Sequence, residues 1–522
     1  MDRRQLLQQL GRQAAAVALS SLFGHAARAQ AAAARWPPGL GNPFTLGVAS
    51  GMPRPDSVAI WTRLAPRPLE PGGGLPATPL ALRWELAEDE RFSKGVRRGE
   101  FVARPEHGHS VHVDVGGLTS GRTWYYRFIA GDAASPIGRT RTAPAEDEAV
   151  GRLRIALASC QHYEQGWYVA HREIAAREVD LVLFVGDYIY ESSSPRYRLR
   201  AHEGPAPHTL DAYRARHATY KLDADLRAAH AAHPWLLTWD DHEVENDYAG
   251  EVGPAGRDRD TFLQRRAAAY QAYFEHLPVS PSMAPRGAAM RIHQDFRWGR
   301  LAELWTLDNR QYRSLQACST PYRRGGDLLA GCDELADPAR TMLGREQEAW
   351  LARGLAGSQS RWQLLAQSTQ LSPCGLDTPL GRRLFSDGWD GYPRARERLL
   401  DAIAAAGRRD VLVLGGDVHR HVSANLRLRP DDPRSPVVAS EFVCSSITSR
   451  GLSEAVTSLI RASNPDLLHA RSDERGYALL EITPEAALCD FRATPFPAQA
   501  DARLHSQARF VVEAGQPGVV RD

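Results

Sequence analysis

The feature that most constrains this chain is a set of apolar strands, each followed directly by side chains of the kinds that bind metals. The clearest case is residues 182–185, Val-Leu-Phe-Val, which lead into Asp187, with Tyr190 three residues further on. Three other apolar runs end in the same way, and they are followed by Cys160, by Asp241 with His242, and by Asp417 with His419. Open α/β sheets place their sites beyond the carboxyl ends of strands. The pattern therefore predicts a metal centre at one edge of such a sheet.

The chemistry of these donors predicts two unlike metals rather than one. Phenolate and thiolate donors suit a softer or strongly Lewis-acidic transition metal. Carboxylates and carbonyls suit hard cations such as calcium or magnesium, and Asp187 is placed where one carboxylate could bridge two ions. A single aspartate at a strand end is more often the cap of the next helix. Four such strand ends in one region are what favour a metal site.

Length and charge narrow the class of protein. The 522 residues are enough for two or three domains, and 43% apolar with 24% charged residues is ordinary for a globular protein. The formal charge is +2, from 64 basic and 62 acidic residues. This balance gives no reason to expect a nucleic-acid partner.

The N-terminus has the composition of an export signal. Arg3 and Arg4 precede a short alanine-rich apolar stretch, and Ala27-Arg28-Ala29 has the small-x-small form of a cleavage site. We interpret residues 1–29 as a twin-arginine signal peptide, with an ordinary secretory signal as the alternative. The apolar run is too short and interrupted to span a membrane, so no transmembrane segment is expected. The Tat export machinery is then a partner, and the mature protein is periplasmic or secreted.

Two of the six cysteines bracket a short loop. Cys318 and Cys332 enclose a glycine-containing segment and could pair in an oxidising compartment. The sequence does not establish the pairing, because nothing in the spacing distinguishes a disulfide from two free thiols.

The pattern along the chain predicts a small β-rich domain followed by a large mixed one. Short strands separated by Gly/Pro turns are predicted over 57–62, 80–86, 109–115 and 123–129. They indicate an immunoglobulin/fibronectin-like β-sandwich over residues 36–144. From 150 to 510 buried strands alternate with helices, predicted at 163–177 and 265–276, which is the α/β (α+β) signature of a catalytic domain. Residues 511–522 are left as a tail.

Five motifs, in this order along the chain, resemble the alkaline phosphatase D family. They are Ala158-Ser-Cys-Gln161, Gly186-Asp-Tyr-Ile-Tyr-Glu191, Trp239-Asp-Asp-His-Glu-Val-Glu-Asn246, Leu307-Asp-Asn-Arg-Gln-Tyr-Arg313 and Gly415-Gly-Asp-Val-His419. The family consists of secreted metallophosphoesterases related in site design to purple acid phosphatases. The resemblance implies a layered, metallophosphoesterase-like sheet domain behind the N-terminal sandwich.

The resemblance also implies the ligand set. Fe(3+) would be held by Cys160, Asp187, Tyr190 and His419. Ca(2+) would share Asp187 and add Asp241, Asp417 and one residue of the pair Asn246-Asp247, of which we favour Asn246. Arg265 or Arg266 matches an arginine that contacts phosphate, and we assign Arg265.

The reaction implied is hydrolysis of a phosphoric ester by a water that the metals deprotonate, without a covalent enzyme intermediate. His242 would assist the leaving group beside Asp241, and Arg265 would meet the charge on the phosphoryl oxygens. The substrates are small phosphate mono- or diesters. One alternative is a phospholipase D-like diesterase acting on lipid head groups, which an exposed apolar surface would favour. Another is a non-catalytic binding protein, against which the intact ligand set argues.

Overall fold

A computed structural model describes residues 35–254 and 258–522. The signal predicted at residues 1–29 lies outside the described residues. Within the described ranges, no helix combines the length and apolar character needed to cross a membrane.

The described residues form twenty-five strands and seven α-helices. The strands are β1 Val48–Gly51, β2 Val58–Arg63, β3 Leu80–Ala87, β4 Arg97–Ala103, β5 Ser110–Val115, β6 Thr123–Ala130, β7 Ala133–Ala134, β8 Gly138–Arg141, β9 Leu153–Ala158, β10 Leu181–Val185, β11 Pro234–Thr238, β12 Gln294–Trp298, β13 Ala302–Thr306, β14 Leu328–Leu329, β15 Trp362–Ala366, β16 Leu376–Thr378, β17 Gly381–Phe385, β18 Val411–Gly415, β19 His421–Arg427, β20 Val437–Val443, β21 Leu467–Arg471, β22 Glu474–Ile482, β23 Ala486–Pro495, β24 His505–Glu513 and β25 Val520–Arg521. The helices are α1 Val169–Ala176, α2 Leu210–Lys221, α3 Ala224–Ala232, α4 Arg259–His276, α5 Arg345–Gly357, α6 Pro393–Ala405 and α7 Glu454–Ala462.

Two large sheets carry the fold. The first has the order β25-β24-β23-β22-β9-β10-β11-β1-β2-β5, and the second has the order β12-β13-β15-β18-β20-β19-β21. One apolar core contains side chains from β9, β10 and β11 of the first sheet together with Leu364 of β15 and Leu414 of β18 in the second. On β15 and β18 the alternate side chains Leu365 and Val413 belong to a different core, shared with α5 and α6. Buried strands with two apolar faces are expected where parallel strands are covered on both sides.

The N-terminal region is a β-sandwich that is continuous with the rest of the molecule. Strands β4-β3-β6-β7, with β8 beside β6, form its own five-stranded sheet. The sheet facing it across a shared apolar core consists of β1, β2 and β5. These three strands belong to the ten-stranded sheet, because β1 pairs in parallel with β11, aligning Ser50 with Pro234. The sandwich therefore shares a backbone hydrogen-bond ladder with the strands that lead to the candidate site.

Three predicted elements differ from those observed. The helix predicted at 163–177 begins only at Val169, because Tyr163–Gln165 form a 3-10 turn that ends at the extended Gly166. The helix predicted at 265–276 begins at Arg259, where the Asp258 side chain accepts a hydrogen bond from the amide of Thr261 and caps it. Residues 511–522, left as a tail, contain the end of β24 and all of β25, which form a hairpin at the sheet edge.

Buried neutral histidines make the fold sensitive to acid. Burial lowers the pKa of His112 to about 4, and its Nδ1 donates to the carbonyl oxygen of Val279, 3.1 Å away. Since an unfolded histidine has a pKa near 6.5, the unfolded chain binds the proton more tightly than the folded chain between about pH 6.5 and pH 4. Stability is therefore complete above about pH 6.5 and is lost as pH falls through that window.

We expect the free energy of unfolding to be about 2 kcal/mol lower at pH 5 than at pH 7 through His112 alone. Urea unfolding at both pH values measures the difference for the unaltered chain and for His112→Asn. The variant should lose less stability on acidification than the unaltered chain. Equal pH differences in His112→Asn and the unaltered chain would contradict the prediction.

Candidate metal centre

Four strand ends converge to build the candidate site. Strands β9, β10 and β11 are parallel neighbours, so residues that follow them emerge at one sheet edge. The Cys160 amide donates to the Gly186 carbonyl oxygen, 3.1 Å away, which ties the first two strand ends together. The end of β18 packs against them through Gly416, where an added Cβ would lie 2.6 Å from Ser159 Oγ. The predicted meeting of these strand ends is present.

The backbone is left-handed at several of the predicted ligands. Cys160, Asp187, Asp247, Asp417 and His419 have φ between 51° and 62°. Residues other than glycine adopt this conformation at a cost of roughly 1–3 kcal/mol each, and it persists where the surroundings enforce it. The sharp turns aim side chains from different strands at one place.

The first group of ligands lies beside Tyr190. One ligand atom each from Cys160, Asp187 and His419 lies within 4.8 Å of the others. The Tyr190 hydroxyl donates to Asp187 Oδ2 at 2.8 Å and lies 3.1 Å from His419 Nε2. His419 Nδ1 donates to the Arg450 carbonyl oxygen at 2.7 Å, which leaves Nε2 facing this group. The structure brings together all four residues that the resemblance assigns to iron.

The electrostatics of this group suit a bound cation. Burial, followed by the charge of Asp187, raises the pKa values of Cys160 and Tyr190 well above their usual ranges. Burial and the neighbouring carboxylates of Asp241 and Asp240 do the same to the pKa of Asp187. Asp187 Oδ1 is buried without a hydrogen-bond partner among the described residues. A metal ion satisfies such an oxygen and favours the ionised thiolate, phenolate and carboxylate, so these residues fit one.

Two further groups extend from the first. Asp187, Asp241 and His242 bring ligand atoms within 4.8 Å of one another, and so do Asp241, Asp247 and Asp387. Asp187 and Asp241 are thus each shared between adjacent groups, as expected for carboxylates that bridge or neighbour two ions.

The other predicted calcium ligands are Asp417 and one residue of the pair Asn246-Asp247. Asp417 belongs to none of the ligand groups found in residues 35–254 and 258–522. Its Oδ2 accepts a hydrogen bond from Thr369 Oγ1 at 2.6 Å, and burial with the charge of Asp240 raises its pKa to about 8. The side chain of Asn246 is exposed, whereas Asp247 faces Asp241 and Asp387. Asp247 is therefore a candidate ligand beside Asp241 and Asp387, and the assignment of Asn246 stays a prediction.

A buried guanidinium supports these carboxylates. Arg310 is 1% exposed and pairs with both oxygens of Asp240, with 3.1 Å between Nη2 and Oδ2. Its Nη1 lies 2.8 Å from Asp387 Oδ2, and its Nη2 lies 3.7 Å from Asp241 Oδ1. Burial alone would raise the pKa of Asp241, but Arg310 and His242 outweigh it and hold that pKa below the usual range. Asp241 is therefore ionised and available to a cation.

Two glutamates, Glu243 and Glu191, stabilise the turns that follow β10 and β11. Glu243 accepts backbone hydrogen bonds from Asp187 at 3.1 Å, Tyr188 at 2.6 Å and Asp240 at 2.9 Å, and so joins the ends of β10 and β11. Glu191 Oε2 accepts from His242 Nδ1 at 2.6 Å. The His242 ring also packs against the Tyr190 ring in a tilted arrangement, with 4.1 Å between centroids. His242 is thus oriented with its Nε2 left for a cation or a substrate.

The two candidate phosphate-binding arginines occupy different surroundings on α4. Arg265 forms an ion pair with Glu245 and donates from Nε to the Tyr213 hydroxyl at 2.8 Å. Arg266 donates from Nε to the Ala288 carbonyl oxygen at 2.9 Å. Arg265 therefore faces the segment that carries the calcium candidates, and Arg266 holds loop carbonyls.

Asp387 was not among the residues predicted from the sequence. This carboxylate follows β17, Gly-Arg-Arg-Leu-Phe, whose residues are exposed or half-buried. The sequence therefore lacks the buried apolar run that marks the other strand ends. Its contacts with Arg310 and with Arg313, 2.9 Å from Oδ1, come from distant parts of the chain.

We expect Arg310→Leu to lower the free energy of unfolding of the metal-free protein by about 3–5 kcal/mol, because it removes the buried counter-charge of Asp240 and one of the two guanidinium groups that pair with Asp387. Urea unfolding in the presence of a chelator measures this change. The control is Arg67→Leu, which removes an ion pair whose side chains are about half exposed and should change stability by no more than about 1 kcal/mol. A similarly small effect of Arg310→Leu would show that the buried cation is dispensable.

Comparison with known proteins agrees with the motifs. The family model described as PhoD-like phosphatase matches residues 155–491, and the one described as PhoD-like phosphatase, N-terminal domain, matches residues 29–144. The chain is similar to alkaline phosphatase D of Bacillus subtilis (strain 168), with 43% identity over 485 residues, 91% of this chain and 82% of that protein. It is also similar to a solved structure described as "Structure of PhoD", with 42% identity, a TM-score of 0.88 and 92% of each chain covered. The resemblance is confirmed: this chain belongs to the PhoD-like phosphatase family.

Proposed function

We propose that this protein is a secreted metal-dependent hydrolase that releases phosphate from organic esters at an iron–calcium site. The observation that carries the proposal is the donor set of buried Cys160, Asp187 and Tyr190 with half-buried His419, in which one Asp187 oxygen has no hydrogen-bond partner among the described residues. A thiolate and a phenolate beside carboxylates favour a transition metal in the first group and a hard cation in the acidic groups. We further propose that the two large sheets correspond to the layers of metallophosphoesterases.

The metals, when bound, supply a lowered pKa for the attacking water and positive charge toward the phosphoryl oxygens. The chain supplies fixed positions. His419 is held by the Arg450 carbonyl, and Asp187 by the Glu243 carboxylate at its amide. Positions held in this way keep substrate and water aligned without reorganisation during the reaction.

We propose that His242 donates a proton to the leaving group. Burial lowers the pKa of His242, but the charges of Glu191 and Asp241 outweigh it and raise that pKa well above the usual range. A protonated histidine can donate to a departing alkoxide, and the Glu191 carboxylate, 2.6 Å from Nδ1, favours the protonated form. Arg265, with its ion pair to Glu245, lies on the adjoining segment, and we propose that it contributes positive charge toward the phosphate.

Two observations support export as part of this function. Arg3 and Arg4 precede the alanine-rich run, as in a twin-arginine signal. Cys318 and Cys332, whose pairing the sequence left open, form a disulfide in the structure. Disulfides persist in oxidising compartments such as the periplasm or the exterior.

A phospholipid diester is the second candidate substrate. The ring of Phe385 is 45% exposed and covers Gly326, whose amide donates to Asp247 Oδ2 at 2.8 Å. Leu328, which pairs with Phe385 across β14 and β17, is 62% exposed. An apolar rim next to candidate ligands favours an ester whose alcohol or acyl part is apolar.

We expect purified protein to contain iron and calcium and to hydrolyse a nitrophenyl monoester, a bis-nitrophenyl diester or phosphatidylcholine in mixed micelles. Metal analysis and the three assays are run on the unaltered chain and on Asp187→Ala, which removes the shared carboxylate. The variant should contain no iron, and its turnover should fall by at least about 1,000-fold. A loss of this size is expected when the main electrostatic stabilisation of the transition state is removed. A folded, metal-free and inactive unaltered protein would instead support a binding role.

The acidic groups make a separate prediction about calcium. Asp247→Asn and Asp387→Asn should each lower the calcium content and raise the calcium concentration needed for half-maximal activity. Asn246→Ala changes the neighbouring exposed side chain and serves as the matched control. Calcium titration of chelator-treated enzyme measures all three. Loss of calcium only in Asn246→Ala would support the assignment made from sequence and contradict the role of Asp247.

A further inference from the structure

A hydroxyl outside the five motifs contacts the candidate phenolate ligand. Ser449 follows β20 on the segment 444–450 and is 1% exposed. Its Oγ lies 2.8 Å from the Tyr190 hydroxyl oxygen, within hydrogen-bond distance. The same Oγ lies 2.8 Å from the Cys160 carbonyl oxygen and accepts from the His162 amide at 3.1 Å. Ser449 thus joins the segments that carry Cys160 and Tyr190.

A serine hydroxyl has one proton, so it can donate to only one of these two oxygens at a time. The Cys160 carbonyl has other donors, the amides of Thr448 at 3.4 Å and Ser449 at 3.3 Å. When the Tyr190 hydroxyl is protonated and donates to Asp187, its oxygen is uncharged and gains little from a hydrogen bond from Ser449. Once Tyr190 is ionised as a ligand, its oxygen is the charged acceptor, and hydrogen bonds to charged acceptors are roughly twice as strong as neutral ones.

We propose that Ser449 is a positioning residue that donates its hydroxyl proton to the Tyr190 phenolate and thereby fixes and tunes this ligand. The proposal rests on the proposed function, in which Tyr190 binds iron. A hydrogen bond to a ligand atom withdraws electron density from it and lowers the energy of its filled orbitals. Excitation of an electron from the phenolate to iron(III) then requires more energy with Ser449 than without it.

The test is the visible absorption of the iron-loaded protein, in which a phenolate-to-iron(III) band reports on Tyr190 directly. Ser449→Ala should move this band to longer wavelength at unchanged iron content. Ser449→Thr keeps a hydroxyl and should restore the original position. Thr448→Val is the matched control, because the Thr448 hydroxyl donates to the His162 carbonyl oxygen at 2.8 Å on the same segment without contacting Tyr190.

The role of Ser449 and the presence of the iron site are tested by different outcomes. A band that stays in place in Ser449→Ala, or that moves equally in Thr448→Val, overturns the role of Ser449 and leaves the iron site intact. Iron or the band missing from the unaltered protein overturns both. If Ser449→Ala does not fold, resonance Raman spectra of the unaltered protein in H₂O and D₂O decide the question. A phenolate C–O vibration that is identical in the two solvents contradicts a hydrogen bond from Ser449.

Discussion

Three buried aspartates around the candidate site share one guanidinium, that of Arg310, which Arg313 assists at Asp387. Three aspartates removed from water would cost several kcal/mol each if they were left without a counter-charge. Arg310 approaches all three, pairing closely with Asp240 and Asp387 and lying 3.7 Å from Asp241. A planar fork with five donors suits this task better than a lysine ammonium, because it reaches several carboxylates in fixed directions. The turn after β11 and the segment after β17 are thereby held to the turn that follows β13.

Arg310 does not balance the charge of every buried carboxylate, and the carboxylate without a counter-charge indicates where a metal cation would bind. Asp241 is held ionised, whereas burial and its carboxylate neighbours push the pKa of Asp187 well above the usual range. Asp187 Oδ2 accepts from the Tyr190 hydroxyl at 2.8 Å, but its buried Oδ1 has no partner among the described residues. Perturbed acids of this kind cluster at functional sites. The charge that Arg310 does not supply is the charge that a metal would bring.

The sequence predicted the parts of this site that follow buried strands, and it missed the parts that do not. Asp187 and His419 could be identified because each follows a run of apolar residues that is typical of a buried strand. Asp387 follows an exposed strand, and Ser449 lies in a serine-rich segment that resembles an ordinary loop. Asn246 and Asp247 are adjacent, so only the observed turn separates the exposed side chain from the inward one. Continuity of the sandwich with the catalytic sheet was equally hidden, since β1 and β11 are far apart in sequence.

That continuity gives the N-terminal region a mechanical relation to the site. Strand β1 lies between β2 and β11, and at Gly51 an added Cβ would lie 2.3 Å from the Pro278 carbonyl oxygen, so the chain just beyond α4 packs directly on β1. Helix α4 carries Arg265, and β11 leads to Asp240 and Asp241. Both elements that deliver charge to the acidic side of the site therefore contact the sandwich. The sandwich therefore packs both on the chain that follows α4 and on the strand that leads to Asp240 and Asp241. The left-handed backbone at Asp187, which is costly to maintain, is held at the end of β10 by the Glu243 carboxylate, which accepts from the Asp187 amide at 3.1 Å.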